Sequence, residues 1–198
     1  LFGRLNLNSI SVGGFSKGGG GAQLLAKIDS SLKAVISLYP FIENPVALDF
    51  IHNIPTLIVS GQLDIIAPPS LHADLHYDFI PSSTSKLKFE VALGSHDALL
   101  GPSGANGEVG ERFLSWLAYF MLNDNCYCPL VTTSPVFSSQ YIFNINCNSL
   151  FINNIPDVNE SNIESIFDLF GRKTNFNYNQ LLFYKYSDGN VSKKIVLE

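Results

Sequence analysis

Residues 11–22 read SVGGFSKGGGGA, with six glycines in twelve positions. Gly14, Ser16 and Gly18 match the pattern G-x-S-x-G, which is typical of a sharp turn between a strand and a helix. Such a turn needs residues without bulk two positions before and two positions after the serine, and it lifts the hydroxyl above the edge of a sheet. We therefore predict a nucleophile elbow, in which the backbone N–H of Lys17 points to where an oxyanion would form.

Other glycine-rich loops fit these residues less well. A phosphate-binding P-loop would place its lysine after the glycines, whereas Lys17 precedes them. A dinucleotide-binding loop would be followed about twenty residues later by an acidic residue at a strand end, and the segment SLYP offers none. A flexible linker would not lie between ISV and AQLLAKI, which favour a strand and a helix that becomes regular past its glycines.

Short apolar segments alternate with helix-compatible segments from Asn6 to about Asn125. LKAVISLYP, IPTLIVSGQLD and SKLKFEVAL are typical of strands, whereas PPSLHADLHYDFI and EVGERFLSWLAYFML have helical spacing. Buried strands that alternate with helices predict an α/β fold whose mostly parallel sheet has helices on both faces. The alternation then ends, and the segment LVTTSPVFSSQYIFNINCNSLF indicates strand and loop.

The last fifty residues predict a small β-rich tail. The segment LFYKYSDGNVSKKIVLE indicates two short strands around a turn at Asp188 and Gly189. We place the domains at residues 1–150 and 151–198, with a soft boundary between residues 148 and 160.

A nucleophilic serine needs a base and an orienting acid, which in this fold follow it in the order Ser, Asp or Glu, His. Asp64 ends a predicted strand at the carboxyl edge of the sheet, and His96 follows the next strand in GSHDALLG. We predict Ser16, Asp64 and His96 as catalytic residues; the alternative for Asp64 is a plain turn former. Asp97 lacks a strand end of its own and is interpreted as a substrate-binding residue at the rim.

The other histidines are weaker candidates. His52 precedes a strand, which places it at the opposite edge of the sheet. His72 and His76 share a helical face, but Ala73 replaces the glutamate of the H-E-x-x-H zinc motif. We interpret that pair as surface or packing residues and predict no metal site.

Composition restricts the partners. The 198 residues carry 12 basic and 17 acidic side chains, a net charge of −5 without a basic block, which argues against a nucleic-acid partner. No apolar run approaches the roughly 18–20 residues that span a bilayer, so we predict that the chain is not an integral membrane protein. Cys126, Cys128 and Cys147 are either free thiols or form a disulfide between the first pair and Cys147, which requires an oxidising compartment.

Six segments occur in the same order and at similar spacing as in bacterial cutinases and poly(ethylene terephthalate) (PET) hydrolases: GFSKGGGG, VISLYPF, IPTLIVSGQLDIIAP, PSSTSK, GSHDA and SWLAYFMLNDN. Over about residues 5–128 the chain therefore resembles that family. The resemblance implies the C-terminal part of an α/β-hydrolase fold, no cofactor, and hydrolysis of polyesters or other carboxylic esters. Relative to the family, the chain begins in the strand before the elbow, so we expect an upstream segment to supply the second oxyanion donor.

The resemblance also implies roles for single residues. Phe41 takes the place of the tryptophan that lines the aromatic-ring subsite, and Ile66 matches an apolar wall of the same cleft. Lys17 lies where the family usually has methionine, a change that would shift substrate preference. The family's C-terminal disulfide corresponds first to Cys128–Cys147, with Cys126 as the competitor.

The tail has a resemblance of its own. IFDLFGRKTNF and the final D-G, KK and apolar residues resemble the C-terminal sorting domain of the type IX secretion system of Bacteroidota. This implies recognition by the secretion machinery and an extracellular or cell-surface location; the alternative is an ordinary β-hairpin appendage. We expect a monomeric ester hydrolase, and the alternatives are a lipase or short-chain carboxylesterase without polyesterase activity, and a non-catalytic secreted fragment.

Overall fold

The computed structural model describes six ranges of the chain: residues 6–44, 51–97, 104–147, 163–178, 180–187 and 189–195. The chain divides into two compact units, Leu1–Asn146 and Cys147–Glu198. Within the described ranges, no helix combines the length and the apolar character that crossing a membrane requires.

The larger unit is built on a five-stranded sheet. Its strands are β1 (Ser11–Phe15), β2 (Ala34–Leu38), β3 (Thr56–Gly61), β4 (Lys86–Val91) and β5 (Ser138–Phe143). They pair in this order; the first four are parallel and β5 is antiparallel to β4. The α/β fold with a mostly parallel sheet is confirmed.

In the described part of the chain, four α-helices connect and cover these strands: α1 (Lys17–Ile28), α2 (Ala73–Phe79), α3 (Glu108–Met121) and α4 (Cys128–Thr132). Two details differ from the expectations. Helix α1 begins directly after Ser16 and contains all four glycines; Gly19 lies too close to Leu38 O, and Gly20 too close to Phe41 O, to carry a larger residue. Residues 130–132, expected in strand or loop, belong to α4, in whose first turn Pro129 is favourable.

Helices cover both faces of the sheet. Ala22 and Ala26 of α1 pack against Val35, and Ala73 of α2 packs against Ile58 on the same face. Residues at the alternate positions of β2, β3 and β4 are buried on the other face, where α3 contacts β2 and β3. All six residues of β3 are buried, as expected for a central strand between two helical layers.

Strand β4 buries two lysines on the α2 face. The Lys86 ammonium donates to the carbonyls of Tyr77 and Ile80, at 2.7 Å each, and lies 4.2 Å from the centre of the Tyr77 ring. Lys88 is 2% exposed and pairs with Asp74 in the first turn of α2. Both ends of α2 are therefore tied to β4 by charged side chains.

Cys128 and Cys147 form a disulfide, and Cys126 has a free thiol. The first expected pairing is confirmed, and the competitor Cys126 is wrong. Cross-links that close a loop of roughly twenty residues contribute about 3 kcal/mol by reducing the freedom of the unfolded chain.

The smaller unit is an antiparallel sheet with the order β7-β6-β8-β9. Its strands are β6 (Ile163–Phe167), β7 (Lys173–Thr174), β8 (Leu181–Tyr186) and β9 (Val191–Ile195). The Asp168 carboxylate organises the turn after β6, because it accepts from the N–H groups of Phe170 and Arg172 and from Arg172 Nε. The predicted β8–β9 hairpin is confirmed, with Gly189 at φ 84°; Asp188 lies outside the described residues.

Candidate active site

Ser16 stands in a strained turn between β1 and α1. Its backbone has φ 54° and ψ −120°, a conformation that residues other than glycine rarely adopt. The Ser16 N–H donates to the carbonyl of Leu38 at 2.9 Å, and the Ser16 carbonyl accepts from Phe41 N at 3.0 Å. The turn is therefore fixed from both sides by the chain that follows β2.

Three glycines make room for this turn: Gly14, Gly19 and Gly20. Of these, only Gly14 belongs to the G-x-S-x-G pattern. A Cβ on Gly14 would collide with the carbonyl of Gly18. One on Gly19 would lie 2.7 Å from Leu38 O, and one on Gly20 would lie 2.6 Å from Phe41 O. A Cβ on Gly18 would meet no described atom within 4 Å. The expectation that the position two after the serine must itself lack bulk is wrong, because the space there is needed only for the Gly18 backbone.

Ser16, His96 and Asp64 form one chain of hydrogen bonds. His96 Nε2 lies 3.0 Å from Ser16 Oγ, and His96 Nδ1 lies 2.7 Å from Asp64 Oδ2. A carboxylate can only accept, so Nδ1 carries the proton and Nε2 is left to accept from the serine hydroxyl. Ser16 is half-buried, whereas His96 and Asp64 are buried.

Asp64 is held rigidly at the end of β3. Its second oxygen, Oδ1, accepts from the N–H groups of Ile66 at 2.9 Å and Ala67 at 2.8 Å. The side chain is 0% exposed, so these bonds and the bond to His96 replace the water that a carboxylate would otherwise bind. The loop after β3 therefore fixes the oxygen that faces His96.

Two aromatic rings surround the His96 imidazole. The ring of Phe15 is 5.0 Å from it, and the ring of Tyr39 meets it edge-on at 5.8 Å. Burial, and then the charge of Asp64, raise the pKa of the Tyr39 hydroxyl. Neither residue was predicted; Phe15 could have been, because it directly precedes the serine on the strand.

Phe41 and Lys17 lie at the rim beside the serine. The Phe41 ring stacks at 4.8 Å on the imidazole of His72, and Lys17 Nζ lies 6.0 Å from the Phe41 ring centre. Lys17 Nζ also lies 3.7 Å from Glu43 Oε1, in an exposed pair. As the first residue of α1, Lys17 has no acceptor for its N–H within the helix. This N–H adjoins the Ser16 hydroxyl in sequence and stands at a helix N-terminus.

His72 belongs to this site, which the sequence did not reveal. It is 7% exposed, stacks under Phe41, and its Nδ1 accepts from Ile42 N at 3.5 Å. Burial lowers the pKa of His72, and the carboxylate of Asp64 partly opposes this. His52 and His76 are also buried. All three histidines are therefore packing residues, and none of them lies at the surface.

Ile66 and Asp97 adjoin the hydrogen-bonded chain without being part of it. Ile66 is joined to Asp64 through its backbone N–H, and its side chain is 52% exposed. Asp97 is exposed directly after His96. No group of three His, Cys, Asp or Glu side chains within the described ranges is arranged to hold a metal ion.

A serine hydroxyl bonded to an imidazole, which is bonded to a buried carboxylate, is the arrangement that activates a serine for acyl transfer. Residues 1–148 match the model of the family described as PET hydrolase-like. The chain belongs to the PET hydrolase-like family. Its described fold, an open and mostly parallel sheet with helices on both faces, is consistent with an α/β hydrolase.

The chain is also similar to individual cutinases and to a bis(hydroxyethyl) terephthalate hydrolase. The chain is 36% identical over 132 residues to Cutinase est1 of Thermobifida alba, a match that covers 67% of this chain and 43% of that protein. It is 36% identical over 132 residues to Cutinase 1 of Thermobifida cellulosilytica, with 67% and 48% covered. It is 34% identical over 132 residues to the bis(hydroxyethyl) terephthalate hydrolase of Streptomyces coelicolor, with 65% and 41% covered. The chain thus spans less than half the length of these relatives.

Proposed function

We propose that this protein is a serine hydrolase that cleaves carboxylic ester bonds in polyesters, including aromatic polyesters such as PET. The observation that carries the proposal is the hydrogen-bonded chain from Ser16 Oγ through His96 to Asp64. Membership of the PET hydrolase-like family and likeness to cutinases support the substrate class. The activity needs no cofactor.

In the first half of the reaction, Ser16 Oγ bonds to the ester carbonyl carbon while His96 Nε2 takes the hydroxyl proton. The carbonyl π electrons move to its oxygen, which becomes an oxyanion. When they return, the bond to the alcohol oxygen breaks, and His96 gives its proton to the leaving alcohol. Asp64 holds the imidazole in the required tautomer and stabilises the imidazolium between these steps.

In the second half, water attacks the acyl-Ser16 carbonyl and gives its proton to His96 Nε2. The Ser16 oxygen then leaves and recovers that proton, and the carboxylic acid is released. The Lys17 N–H would donate to the oxyanion in both halves. Donors of this kind contribute about 3–4 kcal/mol to transition-state stabilisation.

Three further residues would bind the substrate. Phe41 offers an aromatic face against an aryl ring of the polymer, and its stacking on His72 fixes the orientation of that face. Ile66 would form an apolar wall, and Asp97 would lie at the rim beside His96.

The test compares the full-length protein with its Ser16→Ala variant on a soluble p-nitrophenyl ester. We expect a loss of at least about 10⁴-fold in kcat/KM, because the nucleophile is removed while the core is untouched. Ser31→Ala, which changes an exposed serine in the loop before β2, near the end of β1 that lies opposite Ser16, is the matched control and should keep full activity. A Ser16→Ala variant with activity near that of the wild type would reject the proposal.

A second assay separates the substrate classes. A polyesterase should release soluble acids from a PET or aliphatic polyester film as well as hydrolyse the soluble ester. Hydrolysis of the soluble ester alone would indicate the lipase or short-chain carboxylesterase alternative. Absence of both activities in the full-length protein would favour the non-catalytic alternative.

We also propose that the smaller unit is an address for type IX secretion, which would place the protein outside the cell or on its surface. The sequence features that support this are the GRK turn after β6 and the paired lysines of β9. A variant of the protein that lacks residues 191–198 should remain in the periplasm of a Bacteroidota host. Equal export with and without these residues would leave an ordinary hairpin appendage.

A further inference from the structure

Leu93 combines two unfavourable properties. Its backbone is left-handed, with φ 57°, a conformation that costs a bulky residue about 1–2 kcal/mol. Its side chain is also 76% exposed, so burial in the core does not offset this cost. The Leu93 N–H donates to Gln62 Oε1 at 2.9 Å, and Gly94 N donates to Val91 O at 3.2 Å across the same turn. Strained residues that persist in a fold concentrate at functional positions.

In residues 61–67 and 91–97, which follow β3 and β4, four aliphatic residues are exposed, and Leu93 is one of them. We call Leu63, Ile65, Ile66 and Leu93 the apolar crest. All four are more than half exposed, and Ile65 reaches 89%.

The turns after β3 and β4 pack together through their backbones. Leu63 N donates to Gly94 O at 2.8 Å, and Gln62 N donates to Val91 O at 3.0 Å. Gly61 permits this approach, because a Cβ there would lie 2.5 Å from Gly94 O. With the backbones facing each other, the side chains of Leu63 and Leu93 extend into solvent from adjoining turns.

The crest is continuous with the candidate active site. Asp64 lies between Leu63 and Ile65, and its carboxylate turns inward to His96. In residues 61–67 and 91–96 no exposed side chain is charged, in a chain with a net charge of −5. Asp97 is the charged residue that borders the crest after His96. An uncharged apolar partner is therefore the best match for this surface.

We propose that the apolar crest is the surface on which the protein adsorbs to solid, uncharged polyester, with Leu93 as its specificity-determining contact. The inference rests on the proposed polyesterase function. The strained turn displays a leucine beside the active site, where contact with the solid brings Ser16 to the polymer chain. Adsorption and hydrolysis are separate measurements, so the two proposals fail separately.

The experiment measures adsorption isotherms of the full-length Ser16→Ala protein on PET film, so that hydrolysis does not alter the surface. Leu93→Asn removes the apolar side chain, while asparagine tolerates the left-handed conformation. We expect adsorption about fivefold to tenfold weaker, because the variant no longer buries part of a leucine's apolar area against the polymer. In the active protein, the ratio of film hydrolysis to soluble-ester hydrolysis should fall by a similar factor.

The matched control is Leu122→Asn. Leu122 is 73% exposed after the end of α3, where Met121 O accepts from Ser9 Oγ before β1, at the opposite edge of the sheet. This variant should adsorb and hydrolyse like the wild type. Equal adsorption of the Leu93 and Leu122 variants would overturn the proposal.

Three further results complete the test. Leu93→Asn should melt at the same or a higher temperature than the parent, because strain is relieved; if it unfolds instead, Ile65→Asn takes its place and should weaken adsorption by a similar factor.

Adsorption unchanged in both variants, with Leu93-dependent dimers in sedimentation, would make the crest a self-association surface and overturn the proposal. Absence of soluble-ester hydrolysis in the wild-type protein would reject the proposed function, but adsorption of the variants could still be compared.

Discussion

The strand that leads to Ser16 and the strand that leads to Leu93 both end in a left-handed residue other than glycine, with φ 54° and φ 57°. The surroundings of the two turns differ. At Ser16, backbone groups make the supporting hydrogen bonds, and glycines provide the space. At Leu93, the residue's own N–H donates to a side chain, that of Gln62, while backbone bonds hold its neighbours Val91 and Gly94. The first turn is built into the packing of α1 on the sheet; the second is a surface loop.

This difference predicts that the elbow tolerates less change than the Leu93 turn. A backbone carbonyl cannot move away from an added Cβ without displacing the helix or strand to which it belongs. A side-chain bond at the surface can be replaced by water at small cost. The three predictions that follow test this contrast; the substitution with the largest expected effect comes first and the one with the smallest comes last.

Gly14→Ala should destabilise the protein by roughly 3 kcal/mol or more, because its Cβ would collide with the Gly18 carbonyl in the first turn of α1. Gly18→Ala, in the same pattern, should be neutral or stabilising by up to about 1 kcal/mol, since its Cβ meets no described atom and alanine favours the helix. Urea unfolding of the two variants measures the difference. Equal destabilisation by both would show that the pattern, and not the Gly14–Gly18 contact, sets the steric requirement.

Acid should destabilise the fold as a whole, and with it both turns, because the two histidines with lowered pKa values, His52 and His76, belong to neither turn. Burial lowers the pKa of His52 and of His76 to about 4, from an ordinary value of 6.5. The unfolded chain therefore binds more protons than the folded chain between these pH values, and stability is lost as pH falls from about 6.5 to about 4. The loss is on the order of 3 kcal/mol for each histidine.

Unfolding free energies measured from pH 7 to pH 4 check this. Replacing His76 with asparagine should flatten the profile relative to the wild type. A stability that is constant across this range would contradict the two lowered pKa values. If the amides of the Leu93 turn lost hydrogen-exchange protection at a clearly higher pH than those of the elbow, the joint response of the two turns would be contradicted.

The contrast between the turns also explains what the sequence could predict. Ser16, Asp64 and His96 were identifiable because a steric pattern and the order of strand ends constrain them, and the structure places their side chains within hydrogen-bonding distance. Their catalytic roles stay predictions. The start of α1 was misjudged, because glycine is a poor helix former on its own and only close contact with Leu38 and Phe41 makes it necessary.

Features that depend on contacts between distant segments left no pattern to read. His72, directly before α2, stacks on Phe41, which follows β2, and the buried Lys88 of β4 pairs with Asp74 of α2. A lysine in a strand ordinarily indicates an exposed position, so the buried Lys88–Asp74 pair could not be expected from the residue types. Leu93 was hidden for the same reason, since leucine is among the last residues expected at a positive φ.

The smallest effect should follow from Gln62→Ala. The variant loses the acceptor for the Leu93 N–H, but this N–H lies at the surface, so we expect a destabilisation of about 0.5–1 kcal/mol. Amide hydrogen exchange gives the sharper result: the Leu93 amide should exchange faster, while the Ser16 amide, bonded to Leu38 O, should keep its protection. Faster exchange at both amides would mean that the two turns are coupled through the sheet edge. Unchanged exchange at both would mean that the Gln62 side chain does not protect the Leu93 amide, and the backbone bonds of Val91 and Gly94 would then be the support of the turn.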